Sequence, residues 1–226
     1  MKSNKLIKAP GASGFTKEYW EHNYSKPEDM EGIGNAKQHA LYAMSTFGHE
    51  YIDISTIIDF GFGLGHLFQA MLELFYPHTA YGIEPSSYAF EKVTPEMLKP
   101  IDSTELTLVQ TDLVSWALSS DNDDQMFDLG LFTSVAQYLS DGELELALSI
   151  MARRVQFLYF TVPIDIELAH QKETLEFHDT YAISRSREDY LSILSPHFTI
   201  VSNRILESKF YFTEESTYFR DLFYRF

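Results

Sequence analysis

Several residue types and patterns are missing from this chain, and each absence excludes a class of protein. Its 226 residues include no cysteine, which excludes disulfide bonds, a catalytic thiol and a thiolate metal site. No apolar run approaches the ~20 residues that a membrane-spanning helix needs. The opening MKSNKLIKAPGASG carries lysines but no apolar centre, unlike a secretory signal, so we expect a cytoplasmic protein.

Basic residues are also scarce. Lys and Arg total 17 against 33 Asp and Glu, which gives a formal net charge of −16. Binding a phosphate backbone needs clustered Lys and Arg, so we expect neither nucleic acid nor an anionic membrane as partner. A neutral or cationic small molecule, or a basic peptide, is compatible with this charge, although acidity can also serve solubility alone. No histidine pair has ligand spacing such as H-E-x-x-H, which predicts no metal site.

From Thr56 onward, strand and helix patterns alternate. The segments with strand character are STIIDF, TAYGIE, ELTLVQTD, MFDLGLFTSV and VQFLYFTVP. Strands that alternate with helices predict a parallel sheet covered on both faces, and their uniformly apolar character agrees. FTIVSNRILES and TYFRDLFYRF follow without a helix between them, which predicts an antiparallel hairpin at the sheet edge. That exposed edge would allow a homodimer. Residues 15–47 have helical character, so we predict a helical lid over residues 1–50 and a main domain over residues 51–226.

The stretch IIDFGFGLGHLF predicts a nucleotide-binding loop between the first strand and a helix. The dinucleotide fingerprint is G-x-G-x-x-G, whereas here Gly61, Gly63 and Gly65 alternate and His66 replaces the third fingerprint glycine. Asp59 lies two residues before the first glycine. A carboxylate repels a pyrophosphate but favours a ligand with a sulfonium and an α-amino group.

The next strands also end in ligand-type residues. Glu84 ends the second strand, where a carboxylate can accept both ribose hydroxyls of a dinucleotide or of an adenosyl ligand. Asp112 follows the third strand and can accept from the adenine amine, while Leu113 packs on the ring. After the fourth strand, Thr133 and Ser134 can line the floor of the site with their backbone.

In this order, DFGFGLG, GIEPS, QTDL and FDLGLFTSVAQYL resemble the class I S-adenosylmethionine (SAM)-dependent methyltransferases, from about Thr56 to Pro163. The resemblance implies an α/β, Rossmann-like three-layer sandwich whose seven-stranded, mostly parallel sheet has an antiparallel last strand. It also implies SAM as cofactor. Many small-molecule members carry a Glu-His pair after strand four, where this chain has Gln137 and Tyr138. The predicted cofactor-binding residues are Tyr19, Trp20, Asp59, Gly61, Phe62, Gly63, Glu84, Pro85, Asp112, Leu113, Thr133 and Ser134.

Tyr19 and Trp20 are included because aromatic faces attract a sulfonium, although an amphipathic helix that buries them in the core fits equally well. The acceptor site would lie in the long connection after strand five, IDIELAHQKETLEFHDTYAISRS. A general base is needed when the acceptor must lose a proton, and His178 and Tyr181 are the catalytic candidates there. The alternative for His178 is a capping or packing role.

The sequence therefore predicts a SAM-dependent methyltransferase that acts on an O or N atom of a small-molecule acceptor. Two alternatives stay open. A NAD(P)-dependent oxidoreductase would need a pyrophosphate beside Asp59, and a non-catalytic SAM-binding module would have a closed acceptor side.

Overall fold

The computed structural model of the chain describes residues 14–23, 33–98, 103–119, 125–174, 179, 181–222 and 225. Seven strands among these residues form one sheet in the order β3-β2-β1-β4-β5-β7-β6. β1 pairs in parallel with β2 and β4, whereas β7 runs antiparallel to both β5 and β6. This confirms the predicted mostly parallel sheet with an antiparallel last strand. The strands are β1 Thr56–Phe60, β2 Thr79–Ile83, β3 Glu105–Val109, β4 Phe127–Thr133, β5 Val155–Thr161, β6 Phe198–Ile200 and β7 Ile205–Ser208.

Helices cover both faces of this sheet. They are α1 Lys17–Asn23, α2 Ile33–His49, α3 His66–Phe75, α4 Ser87–Lys92, α5 Pro95–Leu98, α6 Leu113–Leu118, α7 Asp141–Arg154, α8 Asp165–Thr174 and α9 Arg187–Leu194. One core cluster joins α2 and α3 to the sheet through fully buried side chains such as Phe47 and Met71. The other joins α6, α7 and α9 to the opposite face through Trp116, Met151 and Tyr190. The three-layer sandwich is therefore confirmed. None of the described helices is long and apolar enough to cross a membrane.

The ends of two helices are fixed by reciprocal side-chain caps. Ser140 and Glu143 form a capping box at the start of α7, and Ser186 and Asp189 form another at the start of α9. Each box satisfies backbone N–H groups that a helix start leaves without a partner. The caps hold the chain that leaves β4 and the chain that enters α9, and both of these segments border the ligand side of the sheet.

The prediction that TYFRDLFYRF forms the last strand is wrong. None of the described residues of that segment, 217–222 and 225, belongs to a strand, and the edge hairpin lies wholly within FTIVSNRILES as β6 and β7. The bend at residues 202–204 divides that segment into two strands, which already completes the sheet. Phe219 is 2% exposed and packs in the core instead, and the Thr217 hydroxyl donates to Glu207 of β7 at 2.6 Å.

The connection after β5 is also more ordered than predicted. Its first part forms helix α8, which the sequence analysis treated as loop. Asp165 and Glu167 lie in the first turn of this helix, where negative charge is favourable. Most side chains of α8 face solvent, so its sequence lacks the periodic apolar residues from which a helix is predicted.

Candidate functional site

A cleft of about 1140 Å³ opens at the carboxyl ends of the strands. This is the edge where open α/β sheets bind ligands. Its walls come from the loop after β1, the ends of β2, β4 and β5, and helices α1, α2 and α8. Most of the predicted cofactor-binding residues line it, namely Tyr19, Trp20, Gly61, Phe62, Gly63, Glu84, Pro85, Thr133 and Ser134.

The glycine loop needs its glycines for backbone conformation and for space. Gly61 has φ +115°, and a Cβ there would lie 2.7 Å from Cγ2 of Val135. Gly63 has φ +54°, and a Cβ there would lie 3.2 Å from the Trp20 ring. L side chains rarely adopt such φ values, so this loop brings bare backbone to the cleft.

Glu84 is held rigidly against that loop. The Gly63 N–H donates to Oε2 and the Ser86 N–H donates to Oε1, both at 2.8 Å. Burial raises the pKa of Glu84 to about 6, while the two backbone hydrogen bonds act in the opposite direction. The carboxylate is therefore fixed in orientation, and each oxygen keeps further acceptor capacity for a ligand hydroxyl.

Asp59 adds a second carboxyl group beneath the loop. Its side chain is 3% exposed and is absent from the cleft lining. Burial, followed by the nearby Glu84 carboxylate, raises the pKa of Asp59 well above its usual range. A buried pair of acids, in which the charge of Glu84 makes ionisation of Asp59 less favourable, favours a cationic ligand and disfavours an added phosphate.

Helix α1 closes one side of the cleft over Glu84. The Trp20 Nε1–H donates to the Ser86 hydroxyl at 2.8 Å, and that hydroxyl donates to the Phe15 carbonyl at 2.9 Å. Ser86 also caps α4 by accepting from the Ala89 N–H. Trp20 is only 9% exposed, so it serves core packing and the cleft wall at once.

Two further loop residues contribute to the site in different ways. The Phe62 ring stacks on Phe68 at 6.4 Å, and its backbone N–H donates to Ile83, so Phe62 is largely a packing residue. His66 begins α3 and lines the cleft. Its Nε2 is buried without a hydrogen-bond partner in the described part of the chain, and burial lowers its pKa.

Some predicted site residues are not brought into the cleft lining. Asp112 caps α6 by accepting from the Ser115 N–H at 2.8 Å, and neither Asp112 nor Leu113 lines the cleft. Their contact with adenine stays a prediction. Tyr181 packs its ring against Tyr19 at 5.8 Å and also lies outside the lining. His178 falls outside the described residues.

The turn after β4 carries a hydrogen-bonded polar group that the sequence did not predict. Residues Ala136–Tyr138 form a 3-10 turn there. The Tyr138 hydroxyl donates to Oδ2 of Asp179 at 2.5 Å. Its single proton is thereby used, so the Tyr19 hydroxyl, 3.2 Å away, must be the donor to Tyr138. Buried Arg185 holds the turn by donating to the Ala136 and Leu139 carbonyls.

A second polar group lies where α2 crosses β5. The Tyr159 hydroxyl lies 2.9 Å from Nδ1 of His39, and Arg204 packs over the Tyr42 ring. Burial, and then the Arg204 charge, lower the pKa of His39. His39 and Arg204 both line the cleft, so its walls carry a basic end as well as an acidic one.

Solved structures with the same fold are SAM-dependent methyltransferases. One from Clostridium acetobutylicum ATCC 824 aligns with a TM-score of 0.59 over 76% of this chain and 91% of its own, at 10% identity. Magnesium protoporphyrin IX methyltransferase from Synechocystis PCC 6803, with bound S-adenosylhomocysteine (SAH), gives 0.52 over 76% and 81%, at 17% identity. The N-methyltransferase NodS from Bradyrhizobium japonicum WM9, in complex with SAH, gives 0.55 over 77% and 87%, at 12% identity.

These identities establish the fold of the chain and nothing finer. No protein-family model matches the sequence, and no curated protein matches it either. The chain therefore has the class I methyltransferase fold, with the seven-stranded, mostly parallel sheet and antiparallel last strand that the resemblance implied.

Proposed function

We propose that this chain is a SAM-dependent methyltransferase that transfers a methyl group to an O or N atom of a small-molecule acceptor. One observation carries the proposal. The Glu84 carboxylate stands at the end of β2, held by the N–H groups of Gly63 and Ser86, and faces a cleft bordered by the glycine loop. A fixed carboxylate at this position suits the two ribose hydroxyls of an adenosyl ligand.

The remaining cofactor contacts follow from the same placement. The methionine portion would lie along the bare backbone of Gly61 and Gly63, where Asp59 and Glu84 favour its positive charges. Adenine would reach towards Asp112 and Leu113. Residues 1–50 would act as a lid through α1, whose Tyr19 and Trp20 offer aromatic faces to a sulfonium.

Methyl transfer requires the protein mainly to position the methyl donor and the acceptor and to exclude water. When bound, SAM supplies an activated methyl group, so attack on that group is an in-line displacement. The cleft is large enough for an adenosyl ligand and a small acceptor together. An acceptor that must lose a proton needs a base, for which His178 and Tyr181 were the sequence candidates.

A nicotinamide-dependent oxidoreductase fits this site less well. Its pyrophosphate would approach the glycine loop above Asp59 and beside Glu84, where burial raises the pKa of both carboxyl groups and the Glu84 charge raises that of Asp59 further. The ionised Glu84 carboxylate would repel a pyrophosphate there.

Calorimetric titration separates these functions. We expect micromolar binding of SAM and SAH and no binding of NADH. Replacing Glu84 by Ala should weaken SAM binding by roughly 2 kcal/mol, because a charged hydrogen-bond acceptor is removed. Micromolar binding of NADH without binding of SAM would contradict the proposal, and an unchanged SAM affinity in Glu84→Ala would contradict the ribose assignment.

A further inference from the structure

One wall of the cleft carries an aromatic and acidic cluster, which we define as Phe15, Tyr19, Tyr138, Tyr181 and Asp179. The Phe15 ring centroid lies 5.1 Å from that of Tyr19 and 4.9 Å from that of Tyr138. Phe15, Tyr19, Tyr138 and Asp179 line the cleft, while Tyr181 packs behind them. Electron-rich ring faces beside a carboxylate make a surface that attracts cations.

Asp179 is positioned but not neutralised. Its Oδ2 accepts from the Tyr138 hydroxyl, and its Oδ1 accepts from the Tyr181 N–H at 3.1 Å. Within the part of the chain that the structure describes, no Lys or Arg forms a salt bridge with this carboxylate. A half-buried carboxylate with neutral partners keeps its attraction for a positive group.

An unsatisfied acceptor lies in the same turn. The Gln137 side chain is 3% exposed and borders the cleft, and its Oε1 has no hydrogen-bond partner among the described residues. Leaving a buried acceptor unpaired costs roughly 1–3 kcal/mol, so such groups commonly mark a place for a ligand donor. Gln137 and Asp179 both line the cleft, and both side chains can accept hydrogen bonds from N–H or O–H groups of a ligand.

The turn that presents these acceptors is built to stay in place. Arg185 is 4% exposed and donates to the carbonyls of Ala136 and Leu139, which flank Gln137 and Tyr138. Its charge is balanced by Asp141 at 2.8 Å, so it does not cancel the charge of Asp179. The Gln137 carbonyl also accepts from the Ile183 N–H at 2.7 Å, which ties the turn to the segment after residue 179.

We propose that the acceptor is a small amine, bound as its ammonium form by Asp179, Gln137 and the surrounding aromatic rings. This inference rests on the proposed methyltransferase function and names the substrate class and a catalytic residue for it. An ammonium offers three N–H donors and a positive charge, which match two acceptor side chains and the ring faces. Tyr138 is a positioning residue, because its hydroxyl orients the Asp179 carboxylate.

The proton balance also assigns a role to Asp179. One proton passes from the ammonium to the Asp179 carboxylate, which frees the nitrogen lone pair. The nitrogen then attacks the methyl carbon as the carbon–sulfur bond breaks, and the electron pair of that bond stays on sulfur. The products are an N-methylammonium ion and neutral SAH, and Asp179 returns its proton to water.

Other charged side chains line the cleft and set the alternative. Arg187 begins α9 and Arg204 precedes β7, and both line the same cleft as Asp179. If they dominated, the acceptor would be an anion. A test must therefore compare cationic, neutral and anionic probes of one shape.

Benzylamine, benzyl alcohol and benzoate form such a set, and each can be titrated by NMR into protein saturated with SAH at about pH 7.5. We expect benzylamine to bind at least tenfold more tightly than benzyl alcohol, and benzoate to bind most weakly. Asp179→Asn should weaken benzylamine binding at least tenfold and leave SAH affinity within twofold. Tyr138→Phe should weaken benzylamine binding less than Asp179→Asn does, because the aromatic ring remains.

The matched control is Asp53→Asn, which removes one charge from an exposed residue just before β1, at the opposite edge of the sheet. It should leave benzylamine affinity unchanged. Gln137→Leu gives an independent readout, since it removes an unpaired buried acceptor. It should weaken benzylamine binding without lowering the unfolding temperature of the free protein.

If the protein binds SAH, which supports the proposed function, three results would still overturn the inference. These are tighter binding of benzoate than of benzylamine, equal benzylamine affinity in Asp179→Asn, or a loss of SAM affinity in that variant without a loss of benzylamine affinity. The last result would place the carboxylate at the sulfonium instead. Absence of SAH binding would overturn the proposed function and this inference with it.

Discussion

Glu84 should make cofactor binding depend on pH in a way that the structure specifies. Burial raises its pKa to about 6, and only the ionised form accepts hydrogen bonds at both oxygens from ribose hydroxyls. If the ionised form alone binds, the apparent Kd of SAH is nearly constant above pH 7. It should then rise about tenfold between pH 7 and pH 5, which corresponds to about 1.4 kcal/mol.

Calorimetric titration of SAH between about pH 5 and pH 8, at constant ionic strength, measures this directly. Glu84→Gln should bind SAH more weakly at pH 7 and should lose the pH dependence. The matched control is His66→Asn, because His66 is another titratable residue of the cleft lining and burial lowers its pKa. That variant should keep the wild-type slope. A flat wild-type profile, or a slope lost only in His66→Asn, would refute the assignment of Glu84.

The same shift predicts a stability effect of opposite sign to the binding effect. The folded state holds the Glu84 proton more tightly than the unfolded chain, because the pKa is about 6 rather than 4.5. The stability from this group is therefore complete below pH 4.5 and is lost as pH rises to 6, by about 2 kcal/mol. Denaturant unfolding measures the difference in free energy of unfolding between wild type and Glu84→Gln. We expect this difference to change by about 2 kcal/mol between pH 4.5 and pH 6.

Two further substitutions test the geometry around the cleft. Gly61→Ala should lower the free energy of unfolding by more than about 1 kcal/mol and weaken SAH binding, because φ is +115° and the new Cβ would meet Val135. Unchanged values in denaturant unfolding and calorimetry would contradict the loop geometry. Arg185→Met should lower the free energy of unfolding by about 2 kcal/mol, because the Ala136 and Leu139 carbonyls lose their donor. A change under about 0.5 kcal/mol would show that the turn does not depend on Arg185.

The sheet was predictable because its signals are local. Each buried strand is a short apolar run, and each is followed by a helical pattern or a turn, so order and direction follow from general rules. The last strand was misplaced because TYFRDLFYRF has the same aromatic, strand-like composition as a true edge strand. Only the pairing of β6 with β7 shows that the sheet is already complete.

Nine of the twelve predicted cofactor-binding residues line the cleft, and seven of these could be predicted because they end or follow a strand or belong to the glycine loop. Their contact with SAM stays a prediction. Other contacts that build the cleft walls could not be predicted, because they join distant parts of the sequence. Tyr138 and Asp179 are separated by 41 positions, and Trp20 and Ser86 by 66. Gln137 and Tyr138 stand after β4 where many small-molecule members carry a Glu-His pair, yet Tyr138 meets the Asp179 carboxylate from another segment.

A crystal structure of the protein with SAH tests the central claim most directly. The account predicts that both ribose hydroxyls lie within hydrogen-bond distance of the Glu84 carboxylate and that the sulfur points towards the turn at Gln137. A dinucleotide-like pose with Glu84 unoccupied, SAH bound outside the cleft, or a solid wall beside the sulfur would contradict it.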